Sequence, residues 1–141
     1  MINIITSKQQ ALEAVKENGF NLKFTSDKLK DDKDVVLEAV KKDGGVLYFA
    51  SDRLKADKKM VLEAVKVPFG YALDYASDKL KDDKDVVLEA VKNHGANLRF
   101  ASNRLKDDKD VVLEAVENYG GAKSWASNKF KNLSLEQIKK L

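Results

Sequence analysis

The side chains that could do chemistry in this chain are few, and most recur. His94 is the one histidine among 141 residues, and there is no cysteine. A catalytic base needs an oriented acid or nucleophile beside it. His94 instead occupies a helix-end position where another segment carries Asp43, which describes a solvated helix end. Lack of cysteine excludes disulfides and thiolate metal sites. Three acidic clusters, at residues 31–34, 82–85 and 107–110, have the carboxylate density of a calcium loop. They lack the glycine and distal bidentate glutamate of an EF-hand loop, and each contains a lysine. Helix capping accounts for them better. Gly44-Gly45 and Gly120-Gly121 stand alone as helix stops, without the pattern of a phosphate loop. No catalytic, cofactor-binding or metal-ligating set emerges, and the chain is read as non-enzymatic with no cofactor.

Aromatic residues offer more. Phe24, Phe49, Tyr75, Phe100 and Trp125 recur at one spacing. Such a ladder either fills gaps between stacked units or forms an exposed stripe for a partner helix or for bases. Around each glycine the recurring segments disagree. Tyr48, Phe69, Tyr71, Arg99 and Tyr119 fall in these divergent positions. Positions that must stack are constrained, whereas surface positions are free to specialise. Aromatics and arginine are the types enriched at interface hot spots. These five residues are therefore the candidate partner-binding edge.

The elements behind this pattern form one unit of about 25 residues, written five times. The leucine of Val-Leu-Glu-Ala-Val recurs at Leu37, Leu62, Leu88 and Leu113, with Leu12 as a looser first copy. A single extra residue lies in Val67-Pro68-Phe69. This period is the signature of a solenoid. Val35, Val36, Leu37, Ala39 and Val40 form a broad apolar arc on a helix, as a helix with neighbours on both sides requires. Asp32, Asp57, Asp83 and Asp108 are placed to cap these first helices, each contributing about 1 kcal/mol. The helices are expected near 8–16, 33–42, 58–67, 84–93 and 109–118, each closed by a glycine able to turn left-handed. A second helix follows, carrying Leu47, Ala50 and Leu54, short or broken at Ser51 and its equivalents.

The ends differ from the middle, as solenoid caps do. Ser7 to Gln10 and Ser134 to Gln137 read as capping boxes. The expected architecture is all-α: a short α-solenoid of about five and a half two-helix repeats. It forms one domain, 1–141, with repeats near 7–31, 32–56, 57–82, 83–107 and 108–132 and a capping helix at 133–141.

Composition sets the outer limits. Hydrophobic residues make up 43%, enough for a core, and 26 Lys plus Arg oppose 23 Asp plus Glu. A net charge of +3 with interleaved signs argues against a phosphate-binding stripe. No stretch approaches a membrane span, and the start has no signal-peptide pattern. The chain is expected in the cytoplasm, of the producing cell or of a host cell, without membrane contact.

The run Asp-Lys-Asp-Val-Val-Leu-Glu-Ala-Val-Lys, then Gly, then Leu-x-Phe/Tyr-Ala-Ser-x-x-Leu, resembles the DUF4116 repeat family over residues 7–131. The resemblance implies helical repeats and protein interaction, and it carries no catalytic residues. Repeat five departs from the pattern at Lys123 and Ser124. The leading expectation is a non-catalytic protein-protein interaction module, an adaptor or scaffold. Two alternatives stay open: a stoichiometric inhibitor of a host effector, such as an anti-CRISPR-like protein of a phage or mobile element, and a nucleic-acid-binding helical repeat. A protein partner is favoured over nucleic acid, and the oligomeric state is open.

Overall fold

The computed structural model describes residues 3–68 and 70–141. Repeat one contains α1 (Lys8–Glu17), the 3-10 helix Gly19–Phe24 and α2 (Asp27–Lys30). Repeat two contains α3 (Lys33–Lys42), the 3-10 helix Gly44–Phe49 and α4 (Asp52–Lys55). Repeat three contains α5 (Lys58–Val65), the 3-10 helix Ala72–Tyr75 and α6 (Asp78–Lys81). Repeat four contains α7 (Lys84–Asn93), the 3-10 helix Gly95–Phe100 and α8 (Asn103–Lys106). Repeat five contains α9 (Lys109–Asn118), the 3-10 helix Gly120–Trp125 and α10 (Asn128–Lys131), and α11 (Leu135–Lys139) follows. The chain is an α-solenoid with no strand among the described residues; one isolated bridge joins Ile5 to Thr25.

Each long helix starts where its capping aspartate holds the first free amides. Asp32 accepts from Asp34 N at 2.9 Å and Val35 N at 3.2 Å, and Asp83 and Asp108 repeat this arrangement. Asp57 accepts from Met60 N at 3.1 Å. Helix α5 stops two residues short of the expected 58–67. Val67 precedes Pro68, a position that disfavours helix, and proline itself has no N–H to continue one.

The expected second helix is divided into two. Gly44, Leu47 and Ala50 are buried at a spacing of three, the period of a 3-10 helix. The chain then extends through Ala50 and restarts at Ser51, whose hydroxyl accepts from Leu54 N at 3.3 Å. Repeat five follows the same course despite Lys123, where the other repeats bury leucine. The Lys123 ammonium donates to Leu133 O at 2.9 Å, and Phe130 is fully buried where Leu29, Leu54, Leu80 and Leu105 stand elsewhere. At the ends, Ser134 and Gln137 form the full capping box, whereas Ser7 makes only its own half, from Gln10 N.

Glycine closes the long helices for a reason other than the expected one. No described glycine has a positive φ. The chain leaves α1, α3, α7 and α9 through an extended residue, as at Asp43 (φ −152°) and His94 (φ −153°), whereas α5 ends on Lys66 in helical conformation. A Cβ on Gly44 would overlap the Ala64 carbonyl oxygen, and one on Gly95 the Ala115 carbonyl oxygen. Glycine is needed because adjacent repeats approach to backbone contact.

The core is one continuous cluster. Val35, Val36, Ala39 and Val40 of α3, Leu47 of the 3-10 helix and Leu54 of α4 supply it in repeat two. Long helices stack on long helices, and 3-10 helices stack on 3-10 helices. Backbone bonds stitch the units together: Ser51 N to Lys30 O, Ser77 N to Lys55 O, Ser102 N to Lys81 O and Ser127 N to Lys106 O, each at 2.9–3.0 Å. Ile5 stands in for a preceding repeat, accepting from Ser26 N and donating to Phe24 O. No described helix is long and apolar enough to cross a membrane.

Candidate functional site

Three faces were open to function: the charged edge at the starts of the long helices, the outer surface of those helices, and the outer surface of the 3-10 helices. The charged edge is internally paired. Lys8 bridges Asp32 and Asp34 of the next repeat at 3.1 and 2.7 Å, Lys58 bridges Asp83 and Asp85, and Lys84 bridges Asp108 and Asp110. Repeat three has Lys59 where repeats two, four and five have aspartate, so Lys33 meets Asp57 alone. These carboxylates hold the ammonium groups of Lys8, Lys58 and Lys84 above their usual range. A second ladder joins Asp31 to Ser51 and Arg53, Asp82 to Ser102 and Arg104, and Asp107 to Ser127 and Lys129. The serine hydroxyls, then the cations, hold these three carboxyls below the usual range. The acidic clusters thus serve capping and inter-repeat pairing. Among the described residues no three His, Cys, Asp or Glu side chains group as metal ligands.

On the outer surface of the long helices, Leu37, Leu62, Leu88 and Leu113 are half-buried against the core edge. A groove of about 600 Å³ runs between α3 and α5 past Leu37, Met60 and Leu62. Lys41, Glu63 and Lys66 rim it with both signs of charge.

The third face carries the aromatic residues. In a 3-10 helix of six residues the fifth position is exposed and the sixth half-buried, while the second is exposed at Phe20 and Gly121, half-buried at Gly45 and buried at Ala96. The sixth position holds the recurring ladder. Phe24, Phe49, Tyr75, Phe100 and Trp125 are all half-buried. The two readings of this ladder merge: Phe49, Tyr75, Phe100 and Trp125 pack on the core while staying partly open to solvent. The fifth position fills gaps between rungs. Tyr48 sits edge-on to Phe49 and Tyr75, with centroids 5.1 and 5.3 Å away. Arg99 lies over Phe100 at 4.8 Å and Trp125 at 5.9 Å, and Lys23 lies over Phe24 at 4.8 Å. Asp74 holds this position in repeat three, and the ladder breaks there.

The expected edge therefore resolves into two clusters on one face. Tyr48 belongs to the first, with Phe20, Phe49 and Tyr75. Tyr71, Arg99 and Tyr119 belong to the second, which closes on itself. Tyr71 contacts Phe100 at 6.1 Å and His94 at 5.6 Å, His94 contacts Tyr119 at 5.9 Å, and Tyr119 contacts Trp125 at 6.3 Å. Arg99 completes the circuit between Trp125 and Phe100. Phe69, the fifth predicted residue, lies outside the described residues. Tyr48, Tyr71 and Tyr119 are 58%, 42% and 46% exposed.

Two members were missed by reading the sequence. Phe20 is 46% exposed and packs its edge on Phe49; it stands at a divergent position, and that was its one signal. His94 is more than a solvated helix end. Its Nδ1 accepts from Ala96 N at 3.1 Å, as the Asn18 and Asp43 side chains do for Phe20 N and Gly45 N. The imidazole is thereby oriented between two tyrosines. Tyr71 is the one described non-glycine residue with positive φ, 44°, a conformation costly for a bulky side chain. The residue inserted before it shifts the chain, and the ring reaches the second cluster from this left-handed position.

No curated protein and no solved structure matches the chain. The sequence model of a domain of unknown function, DUF4116, matches four overlapping stretches, residues 7–55, 32–81, 57–103 and 83–131. Each spans about two of the repeats described above, and together they cover nearly the whole molecule, so the chain belongs to the DUF4116 repeat family.

Proposed function

We propose that the chain is a non-catalytic protein-protein interaction module, an adaptor or scaffold, that binds its partner through the face of the 3-10 helices. The observation that carries this reading is the exposure of Tyr48, Tyr71 and Tyr119 together with their support. Each keeps about half of its surface open while its ring is held by neighbouring rings. Rigid, half-exposed aromatics lose little conformational freedom on binding, which is why they dominate interface hot spots. The charged edge is a poorer candidate because Lys8, Lys33, Lys58 and Lys84 already have carboxylate partners, and exchanging one ion pair for another yields little. The site of action in this reading is the cytoplasm, of the producing cell or of a host; a stoichiometric inhibitor would use the same face.

Site-specific photo-crosslinking in the producing cell tests the proposal. A photoreactive phenylalanine at Tyr48 or Tyr119 is expected to give discrete protein adducts, and one at Lys41 or Glu89 few. Adducts confined to Lys41 and Glu89, or adducts to nucleic acid alone, would overturn it.

A further inference from the structure

We infer that the partner is an acidic protein segment, one that sets carboxylates beside apolar side chains, and that it docks on the half of this face built by repeats four and five. The inference rests on the protein-binding reading above and adds the chemistry of the partner. Charge along the face is uneven. Residues 95–106 and 120–131 contain Arg99, Arg104, Lys106, Lys123, Lys129 and Lys131 and no Asp or Glu. The corresponding stretch of repeat three, 70–81, sets Asp74 and Asp78 against Lys79 and Lys81. Asp27, Asp52 and Asp78 open the first three one-turn helices, and Asn103 and Asn128 open the last two. The helix-opening carboxylates are missing from the same half of the face that holds the closed aromatic circuit, where Asp82 and Asp107 remain as the partners of Arg104 and Lys129.

Arg99 is the centre of that half. The protein has three arginines; Arg53 pairs with Asp31 at 2.8 Å and Arg104 with Asp82 at 2.9 Å. Arg99 makes no ion pair among the described residues and rests its guanidinium on Phe100 and Trp125 instead. A guanidinium lying against rings keeps its N–H donors in the outward plane, and this fork matches a carboxylate in bidentate fashion. Lys106 lies in the same repeat, half-buried, and burial lowers its pKa. An incoming carboxylate would offset that desolvation.

The same cations and rings raise the question of single-stranded nucleic acid, which needs open ring faces on which bases stack. Here part of that ring surface is already in use. Arg99 covers Phe100 and Trp125, and His94 stands between Tyr71 and Tyr119. Ring edges and the rims of Tyr71 and Tyr119 remain, which suit aliphatic and aromatic side chains of a peptide.

Trp125, the one tryptophan of the chain, reports on this site by its own fluorescence. A phage library of random dodecapeptides would be panned against the intact protein, and the enriched peptides synthesised. Peptides combining Asp or Glu with apolar residues are expected to emerge and to shift Trp125 emission. Arg99→Glu should weaken them at least tenfold, and Lys28→Glu, in repeat one, less than about twofold. Arg99→Leu keeps an apolar stem on the rings and should also lose binding, which separates charge from folding; melting curves check both variants. Enrichment of basic or uncharged peptides on this face, or acidic peptides indifferent to both Arg99 variants, would overturn the inference while leaving the interaction module standing. No enriched peptide, with an oligothymidylate quenching Trp125 and a steep loss of that binding in salt, would overturn both.

Discussion

Gly95 lies so close to the carbonyl of Ala115, in the long helix of the next repeat, that no Cβ fits between them. The corresponding residue of repeat five, Gly120, would have nothing within 4 Å of a Cβ placed on it, because the half-repeat that follows supplies α11 on another part of α9. Gly95→Ala is expected to cost about 1–3 kcal/mol or more, the range for forcing a group into a packed interior. Gly120→Ala should be neutral or stabilising by about 0.5 kcal/mol, since it restricts the unfolded chain and meets no clash. Urea melts of the two variants check this. Equal losses would mean that the glycines serve turn geometry, with repeat contact irrelevant.

The glycines also mark the limit of what the sequence disclosed. Their recurrence at the ends of the long helices was plain, but their role was read as left-handed closure. The actual cause is a distance between two repeats, and a single repeat contains no information about it. The long helices were legible because capping aspartates and the Val-Val-x-x-Ala-Val pattern are local signals. The exception, α5, is set by Pro68, whose effect reaches back over the preceding turn and ends the helix at Val65. The 3-10 helix was obscured because Leu47 and Ala50 suit a three-residue and a 3.6-residue period equally. At the site, divergence among repeats selected Tyr48, Tyr71, Arg99 and Tyr119, which do share one face. It missed His94, whose part depends on Tyr71 and Tyr119 in the adjoining repeats.

The most regular leucine is not the most buried one. Leu88 recurs in every long helix yet is half-buried at the outer edge, whereas Leu98 of the 3-10 helix is fully buried. Leu98→Ala is expected to cost about 2–5 kcal/mol, as for truncations in closed cores. Leu88→Ala should cost less, about 1–2 kcal/mol, because part of its surface already meets water. Denaturant midpoints decide; a larger loss at Leu88 would place the structural seam on the outer surface of the long helices.

The two ladders make stability depend on pH in opposite directions. Folding depresses the carboxyls of Asp31, Asp82 and Asp107 below their ordinary 3.8. Their contribution is complete above that value and is lost as the pH falls through the depressed folded values. Folding raises Lys8, Lys58 and Lys84 above their ordinary 10.5. Their contribution is complete below that value and is lost as the pH rises through the elevated folded values. The melting midpoint should therefore be flat through neutral pH and decline on both sides, with smaller declines in high salt. The triple variant Asp31→Asn, Asp82→Asn, Asp107→Asn should show a shallower acid decline. An acid limb as steep as that of the parent would show that these pairs do not carry it.

The binding face separates from the fold at its tyrosines. Tyr48→Ala and Tyr119→Ala remove rings whose outer surface is open and whose ring contacts are with half-buried neighbours at the surface of the core. Each should lower partner affinity by about tenfold or more, as hot-spot aromatics do, and shift the melting midpoint little. Tyr71 gives a sharper case. Its backbone is held at φ 44°, which glycine adopts without a Cβ penalty. Tyr71→Gly removes the ring from the circuit with His94 and Phe100 and relieves the backbone at once, so affinity should fall while stability holds or rises. Titration calorimetry with the crosslinked partner, beside thermal melts of the same variants, tests all three. If affinity survives these changes and is lost instead in Lys33→Ala, Glu38→Ala, Lys84→Ala or Glu89→Ala, the partner reads the charged surface of the long helices. In that event the aromatic circuit is a device for holding successive repeats in register.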